Sequence, residues 1–390
     1  MRFYGRLLPA SAGLCPFLLE TQAANLALLV GALLSTRSLC LTALARCFPV
    51  PDARRTAAPA HELLHRLKRL WRFLGNARVD PVAVQLACLP AIPARLGHPR
   101  RVGLVVDWTS WETPRPGIAG GGVRKDQALT VGVPRRGRVL PPLTVVDERD
   151  KLPAAGSQNR WEEEALARVL AALPAGVRPV VVGDRGVGRA ELIAWLPARG
   201  VDDVLRLRRG AQITQADGTR WKLGAEGLAP GRTRWAPGVR DGTYHDRPRD
   251  LWVNLACSGR PPPRVRGTKP PAEQTEPRDL ATSLDDPGCA LAWYRQRMRV
   301  EETFRDWHAT FGLEDALVGS AARLGRLGAA LSLATAWLHR LALPEVGALP
   351  PGWAASVVTH ARASLVALAL ALLDHRGDFP PHALPRPQAA

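Results

Sequence analysis

The sequence predicts an α/β fold, a mixed sheet with helices, flanked by helical regions toward both ends of the chain. Three observations carry that prediction. Leucines recur near helical spacing from about residue 17 to 97, where strand signals are scarce. Short apolar runs between Val102 and Arg208 first follow one another through brief turns and then alternate with helical stretches. After residue 287 the pattern returns to long helices.

In the amino-terminal part the pairs Leu18-Leu19, Leu28-Leu29 and Leu33-Leu34, with Leu26, mark helix, and the stretch Asp52 to Pro59 interrupts it. His61 to Leu74 then reads as a basic amphipathic helix. Its apolar stripe is Leu63, Leu64, Leu67, Leu70 and Trp71, flanked by Arg66, Lys68, Arg69 and Arg72. A charged helix face is either simply solvated or in contact with phosphate. Four cations with almost no acids across two turns favour phosphate.

The character changes at Arg101. Val102–Asp107, Gln127–Val133 and Val139–Asp147 read as three strands joined by short loops, an antiparallel meander. Trp161–Leu173 is helix, Arg178–Asp184 a buried strand ending in an acid, Ala190–Arg199 helix and Asp203–Arg208 strand, which predicts parallel additions to the same sheet. Between Gly210 and Asp286 the chain is rich in Gly, Pro and Arg, with Trp221, Trp235 and Trp252 among strand-like pieces such as Leu251–Leu255. A β-rich insertion explains this better than a structureless loop of that length. Ala290–Thr310 reads as one strong helix and Arg323–Leu343 and Ala354–Asp374 as apolar helices, with a disordered Pro-rich end after Phe379. The divisions that follow are a helical region over 1–98, a core split into 99–209 and 287–345 around an insertion at 210–286, and a carboxy-terminal helix and tail over 346–390.

Composition narrows the function. With 53 Lys and Arg against 35 Asp and Glu, the formal charge is +18. That imbalance fits a polyanionic partner, or a coding sequence whose bias enriches Arg, Ala, Pro and Gly. The six cysteines form no Cys-x-x-Cys pair, so neither a zinc ribbon nor a disulfide framework is indicated. The apolar run Ala23–Leu34, bounded by Glu20 and Arg37, is too short to span a bilayer and lacks a signal-peptide layout. No membrane association and a cytoplasmic, nucleoid-associated location are expected. Two motifs are decoys. His61-Glu62-Leu-Leu-His65 matches a zinc-protease pattern but runs into Arg66, Lys68 and Arg69, with no third ligand at a suggestive spacing. Gly117–Gly122 resembles a phosphate loop, yet Val123-Arg124 stands where Lys-Ser/Thr would, so a flexible turn is the better reading.

The residues suited to chemistry are carboxylates. Asp107 and Asp184 each close an apolar strand, where a side chain projects toward a cleft, and hard cations such as Mg²⁺ take such oxygen ligands. A third acid comes from the late helix. At 3.6 residues per turn, Tyr294, Arg297, Glu301 and His308 fall within an arc of about 60° on one face. Glu302 points about 100° away and Asp306 lies further round, which selects Glu301 as the inward carboxylate.

The order Tyr294-x-x-Arg297-x-x-x-Glu301-x6-His308 resembles the Tyr-Arg-Glu-Lys signature of bacterial insertion-sequence transposases of the insertion-sequence-four type. Val105-Val-Asp-Trp-Thr109, Gly183-Asp-Arg-Gly186 and Arg66 to Asp80 also look like this family, and the likeness extends from about residue 25 to 340. The resemblance implies a ribonuclease H-like catalytic core in which Asp107, Asp184 and Glu301 hold two Mg²⁺ ions, with Mn²⁺ as a substitute. It implies cleavage at the ends of the mobile element and joining to target DNA, in a complex that pairs two ends and is expected to be a homodimer. Tyr294, Arg297, His308 and Arg305 would contact the double-stranded DNA, and the 1–98 region, through Arg66, Lys68, Arg69 and Arg72, would bind it as well. Trp221, Trp235 or Trp252 would stack a flipped base in relatives that use a hairpin intermediate. Two departures stand out: His308 occupies the usual Lys position, and Val187 follows Asp-Arg-Gly where an aromatic is common. They leave open a second reading, a catalytically inactive transposon-derived DNA-binding protein.

Overall fold

The computed structural model describes residues 4–49, 59–90, 100–114, 123–135, 137–148, 157–224, 228–241, 251–259, 278–348 and 365–376. In chain order these form α1 (Tyr4–Leu14), α2 (Glu20–Thr36), α3 (Leu41–Arg46), α4 (Pro59–Leu74), α5 (Pro81–Leu86), β1 (Arg101–Pro114), β2 (Val123–Arg135), β3 (Arg138–Glu148) and α6 (Gln158–Ala171). There follow β4 (Arg178–Gly183), α7 (Ala190–Trp195), β5 (Asp202–Arg206), β6 (Gln212–Thr214), β7 (Arg220–Lys222), β8 (Thr233–Asp241), β9 (Leu251–Ser258) and β10 (Arg278–Thr282). The last elements are α8 (Pro287–Arg295), α9 (Met298–Phe311), α10 (Ala321–Ala348) and α11 (Leu365–Arg376). The glycine loop at 117–122, the interruption at 50–58, the start of the expected Ala354–Asp374 helix and the tail after Phe379 lie outside the described residues. Among the described residues no helix is long and apolar enough to cross a membrane.

The chain forms two compact units, one of residues 1–98, 108–174 and 299–390, the other of residues 99–107 and 175–298. In the second unit the strands follow the order β1-β4-β5-β10-β9-β8-β6-β7. Strands β1, β4 and β5 are parallel, and the later pairs are antiparallel. The sheet is therefore mixed, as the alternation of runs predicts. Parallel strands are buried on both faces, which is why Val102–Val106 and Pro179–Gly183 are continuous runs without polar alternation. Helix α8 packs on β4, β5 and β9. Its start is written as Asp286-Pro287: the Asp286 carboxylate accepts the Cys289 N–H at 2.5 Å, and proline occupies the first turn.

The first unit is built on helices. α2 is apolar nearly all round and buries Leu26, Leu29, Val30 and Leu33 completely or nearly so, so its run is a core helix. α10 packs along β3 and against α2, α4, α5 and α11. Strand β2 pairs antiparallel with β3 and stands between it and β1 in the sheet order, forming the expected meander. The register slips between Val131 and Val133, where a Cβ on Gly132 would lie 1.8 Å from Val139 Cγ1, so only glycine fits this bulge. The outer edge of β3 is satisfied at Thr144 by a buried side chain. Gln85 donates to Thr144 O at 3.0 Å and accepts from Thr144 N at 2.8 Å, in the manner of a neighbouring strand.

Three expectations need correction. β1 continues past Asp107 to Pro114, because Trp108-Thr-Ser-Trp-Glu-Thr is itself rich in strand-forming residues, so Asp107 lies mid-strand. The Ala290–Thr310 helix is two helices. Gln296 N bonds Trp293 O and Arg297 N bonds Tyr294 O, a tightened i−3 turn that redirects the chain where α8 leaves one packing surface and α9 takes up another. In α4 the buried residues are Leu70, Phe73 and Leu74, while Leu64 and Trp71 of the expected apolar stripe are 46% and 39% exposed. Trp71 is covered on one side by the Arg323 guanidinium, 4.2 Å from the ring centre.

α9 is fastened to β3 by a buried ion pair. Arg138 donates from Nε to Asp306 Oδ2 at 2.6 Å and from Nη2 to Oδ1 at 3.4 Å, and its Nη1 lies 3.7 Å from Glu302. Thr303 Oγ1 accepts from Val139 N at 2.8 Å beside it. Arg138→Met leaves the Asp306 carboxylate buried beside an apolar chain and is expected to cost about 3 kcal/mol or more. Urea unfolding should show that loss, and adding Asp306→Leu should recover most of it.

Candidate active site

The acids are positioned by strand pairing. β1 and β4 run parallel in the register Arg101↔Arg178 through Val106↔Gly183, so Asp107 and Asp184 each follow the last pair and occupy neighbouring positions. Adjacent strands are separated by about 4.8 Å, which places two carboxyl-bearing residues side by side. Four valines and a leucine, all fully buried, stand behind them at Leu104, Val105, Val106, Val181 and Val182.

The turn after β4 fixes Asp184. Its Oδ1 accepts from Gly186 N at 2.7 Å, and its carbonyl accepts from Val187 N at 3.1 Å and Gly188 N at 2.8 Å. A Cβ on Gly188 would lie 2.0 Å from Arg206 O, so the turn closes against β5 only with glycine there. Val187, where an aromatic was the family expectation, is buried under Gly183.

Asp107 has a cation beside it. Arg297, in the turn between α8 and α9, donates from Nη1 to Asp107 Oδ2 at 3.0 Å. Tyr294 lies on α8 with its ring buried and the Arg278 guanidinium 5.7 Å above it. The 3.6-residue rotation used to place four residues on one face therefore applies only within α9, which carries Glu301 and His308. The core-facing line of α9 is Val300, Phe304, Trp307 and Phe311. Glu302 and Asp306 flank it on the side held by Arg138, and Glu301 stands on the other flank, partly buried. His308 pairs with Glu314 and Arg305 with Glu302.

The four cations of α4 divide into two pairs. Arg66 donates to Arg46 O at 2.7 Å and meets Glu62, and Arg69 donates to Asn25 Oδ1 at 2.9 Å and lies over the Phe48 ring. These two tie α4 to its neighbours. Lys68 and Arg72 are exposed. Of Trp221, Trp235 and Trp252, the last is 56% exposed on β9, and Trp221 is stacked by Arg234 at 4.3 Å.

Among the described residues no set of three or more His, Cys, Asp and Glu side chains is gathered closely enough to hold a metal ion. The Asp107–Asp184 pair nonetheless fits a hard cation: it offers carboxylate oxygens on adjacent strands, and a guanidinium already stands against one of them as a cationic substitute. The sequence singles out Arg297 but not its pairing with Asp107, and gives no sign of the Arg138 clamp. Neither leaves a local signal, since 190 and 168 residues separate the partners.

A second acidic pair stands at the start of β5, toward the end of the sheet where β1 and β4 begin. Asp202 meets Arg178 at 2.6 Å and Arg101 at 3.3 Å. Burial pushes the Asp203 carboxyl up to about 7, opposed by the Ser283 hydroxyl and reinforced by Asp202. The folded protein thus binds this proton more tightly than the unfolded chain, and the associated stability is present at low pH and lost as pH rises from about 4 through about 7. Asp203→Asn should raise the melting temperature at pH 8 and change it little at pH 4, as followed by circular dichroism.

The family model described as transposase DDE domain matches residues 98–324, more than half of the chain and a span that includes Asp107, Asp184, Arg297 and Glu301. The mixed α/β sheet with its helices agrees with the ribonuclease H-like core of such a domain. No curated protein matches the chain.

Proposed function

This chain belongs to the transposase DDE-domain family, and we propose that it cuts DNA at the ends of an insertion sequence and joins those ends to target DNA, using Asp107, Asp184 and Glu301. The observation that supports this most is the β1–β4 register, which sets Asp107 beside Asp184. Glu301 is the third carboxylate on the strength of the signature motif, of the insertion-sequence-four type. Mg²⁺, or Mn²⁺ in its place, would supply charge neutralisation and an activated attacking oxygen when bound.

The chain's own contribution is positioning and electrostatics, where most phosphoryl-transfer catalysis originates. Asp107 and Asp184, positioned by the strand pairing and the Gly186–Gly188 turn, supply hard oxygen ligands on a backbone that the fold already fixes. A water oxygen attacks the phosphorus at the element end and the bond to the 3′ oxygen breaks, leaving a 3′-hydroxyl and a 5′-phosphate. That hydroxyl then attacks a target phosphorus and displaces a target 3′ oxygen, exchanging one phosphodiester for another. Arg297 and Tyr294 anchor the backbone beside the cut, and Arg305 and His308 are further DNA contacts. Lys68 and Arg72 are the phosphate contacts of the 1–98 region, whose partners Arg66 and Arg69 hold the helix in place. The active complex is a homodimer on two ends, in the cytoplasm at the nucleoid.

A supercoiled plasmid carrying the element's own ends tests this, incubated with Mg²⁺, Mn²⁺ or EDTA. Metal-dependent cutting at the ends is expected for wild type, falling by about 10³-fold or more in Glu301→Gln. Binding of the ends without cutting in either metal would instead identify a catalytically inactive DNA-binding protein derived from a transposon.

A further inference from the structure

Two arginine–carboxylate pairs in this protein differ in a way that bears on function. Arg138 engages both oxygens of Asp306 and is 2% exposed, a permanent fastening. Arg297 reaches one oxygen of Asp107 through Nη1 at 3.0 Å, with the two side chains 12% and 14% exposed. Its other arm rests 3.6 Å from Met298 Sδ, a weak acceptor on a residue that is 42% exposed. Arg297 also sits in a two-residue turn rather than inside a helix.

We propose that Arg297 gates the acid pair: its guanidinium holds the Asp107 oxygen that a divalent cation needs, and cation binding releases it to a DNA phosphate. The inference rests on the reading of Asp107 and Asp184 as cation ligands given above. Carboxylates on neighbouring strands repel one another, and an always-charged guanidinium relieves that repulsion while the cation is absent. The same planar fork suits a phosphate as well as a carboxylate. Exchange between the two partners makes metal and DNA binding cooperative through one side chain, and the coupling is reciprocal.

The test is Mn²⁺ binding to the full chain without DNA, read as loss of the free-ion paramagnetic resonance signal, for wild type, Arg297→Gln, Arg297→Lys and Asp107→Asn. Arg297→Gln is expected to bind Mn²⁺ about tenfold more tightly than wild type. Mn²⁺ should also tighten the binding of an end-bearing duplex to wild type in gel shifts by a similar factor, a gain that Arg297→Gln loses. Equal or weaker Mn²⁺ binding by Arg297→Gln, with binding still lost in Asp107→Asn, overturns the gate and leaves the acid pair standing. Unchanged binding in Asp107→Asn removes the acid pair and the gate together. If Arg297→Gln folds poorly by circular dichroism, Arg297→Lys decides: its compact, strongly hydrated ammonium holds the carboxylate less well, so tighter Mn²⁺ binding is expected and unchanged affinity overturns the gate.

Discussion

Parallel pairing between β1 and β4 is the constraint on which the site depends. Six consecutive register partners, from Arg101 and Arg178 to Val106 and Gly183, carry Asp107 and Asp184 to the same level of the sheet. A slip of one residue would send every side chain of β1 to the opposite face and exchange buried valines for the acid. The valines flanking the acids are fully buried, so that slip would cost several kcal/mol in lost apolar burial. The hydrophobic pattern thus fixes the placement of the acid pair as a by-product of filling the core. The β5 carbonyl that meets Gly188 and the three N–H bonds to Asp184 then hold the second acid on a short, well-determined turn.

The basic composition serves more than one purpose. Arg138, Arg66, Arg69 and Arg326 all hold the first unit together: Arg138 through Asp306, and the others largely through backbone carbonyls or Asn25 at helix ends. Arg suits this because one fork satisfies several acceptors at once. Burial around His339, with Arg138 close by, pushes that imidazole down to about 3, so it stays neutral near pH 7. The excess of cations is therefore partly architectural, and Lys68 and Arg72 are among those left at the surface.

Much of the fold was legible because it follows from local patterns. Continuous apolar runs gave the parallel strands, short loops gave the β2–β3 pair, and the recurrent leucines gave the amino-terminal helices. The acid pair was legible for a related reason: Arg101-Val-Gly-Leu-Val-Val-Asp107 and Arg178-Pro-Val-Val-Val-Gly-Asp184 are equal in length from arginine to aspartate, so pairing their starts pairs their ends. The break at Gln296–Arg297 was not legible. It contains neither Gly nor Pro and arises from packing of α8 and α9 on different surfaces, which outweighs helix propensity. The extent of the α4 stripe failed for a similar reason, since which leucines are buried depends on neighbours distant in sequence.

Whether a cation is held where β1 and β4 end their pairing can be examined directly by supplying Fe²⁺ in place of Mg²⁺ to the full chain and adding ascorbate and peroxide. Hydroxyl radicals formed at bound iron cut the backbone nearby, and the fragments report its position. Cuts are expected to cluster at Asp107 and in the 184–188 turn and to be suppressed by excess Mg²⁺. Cuts concentrated instead around Asp202 and Asp203, with none near Asp107, would contradict that placement.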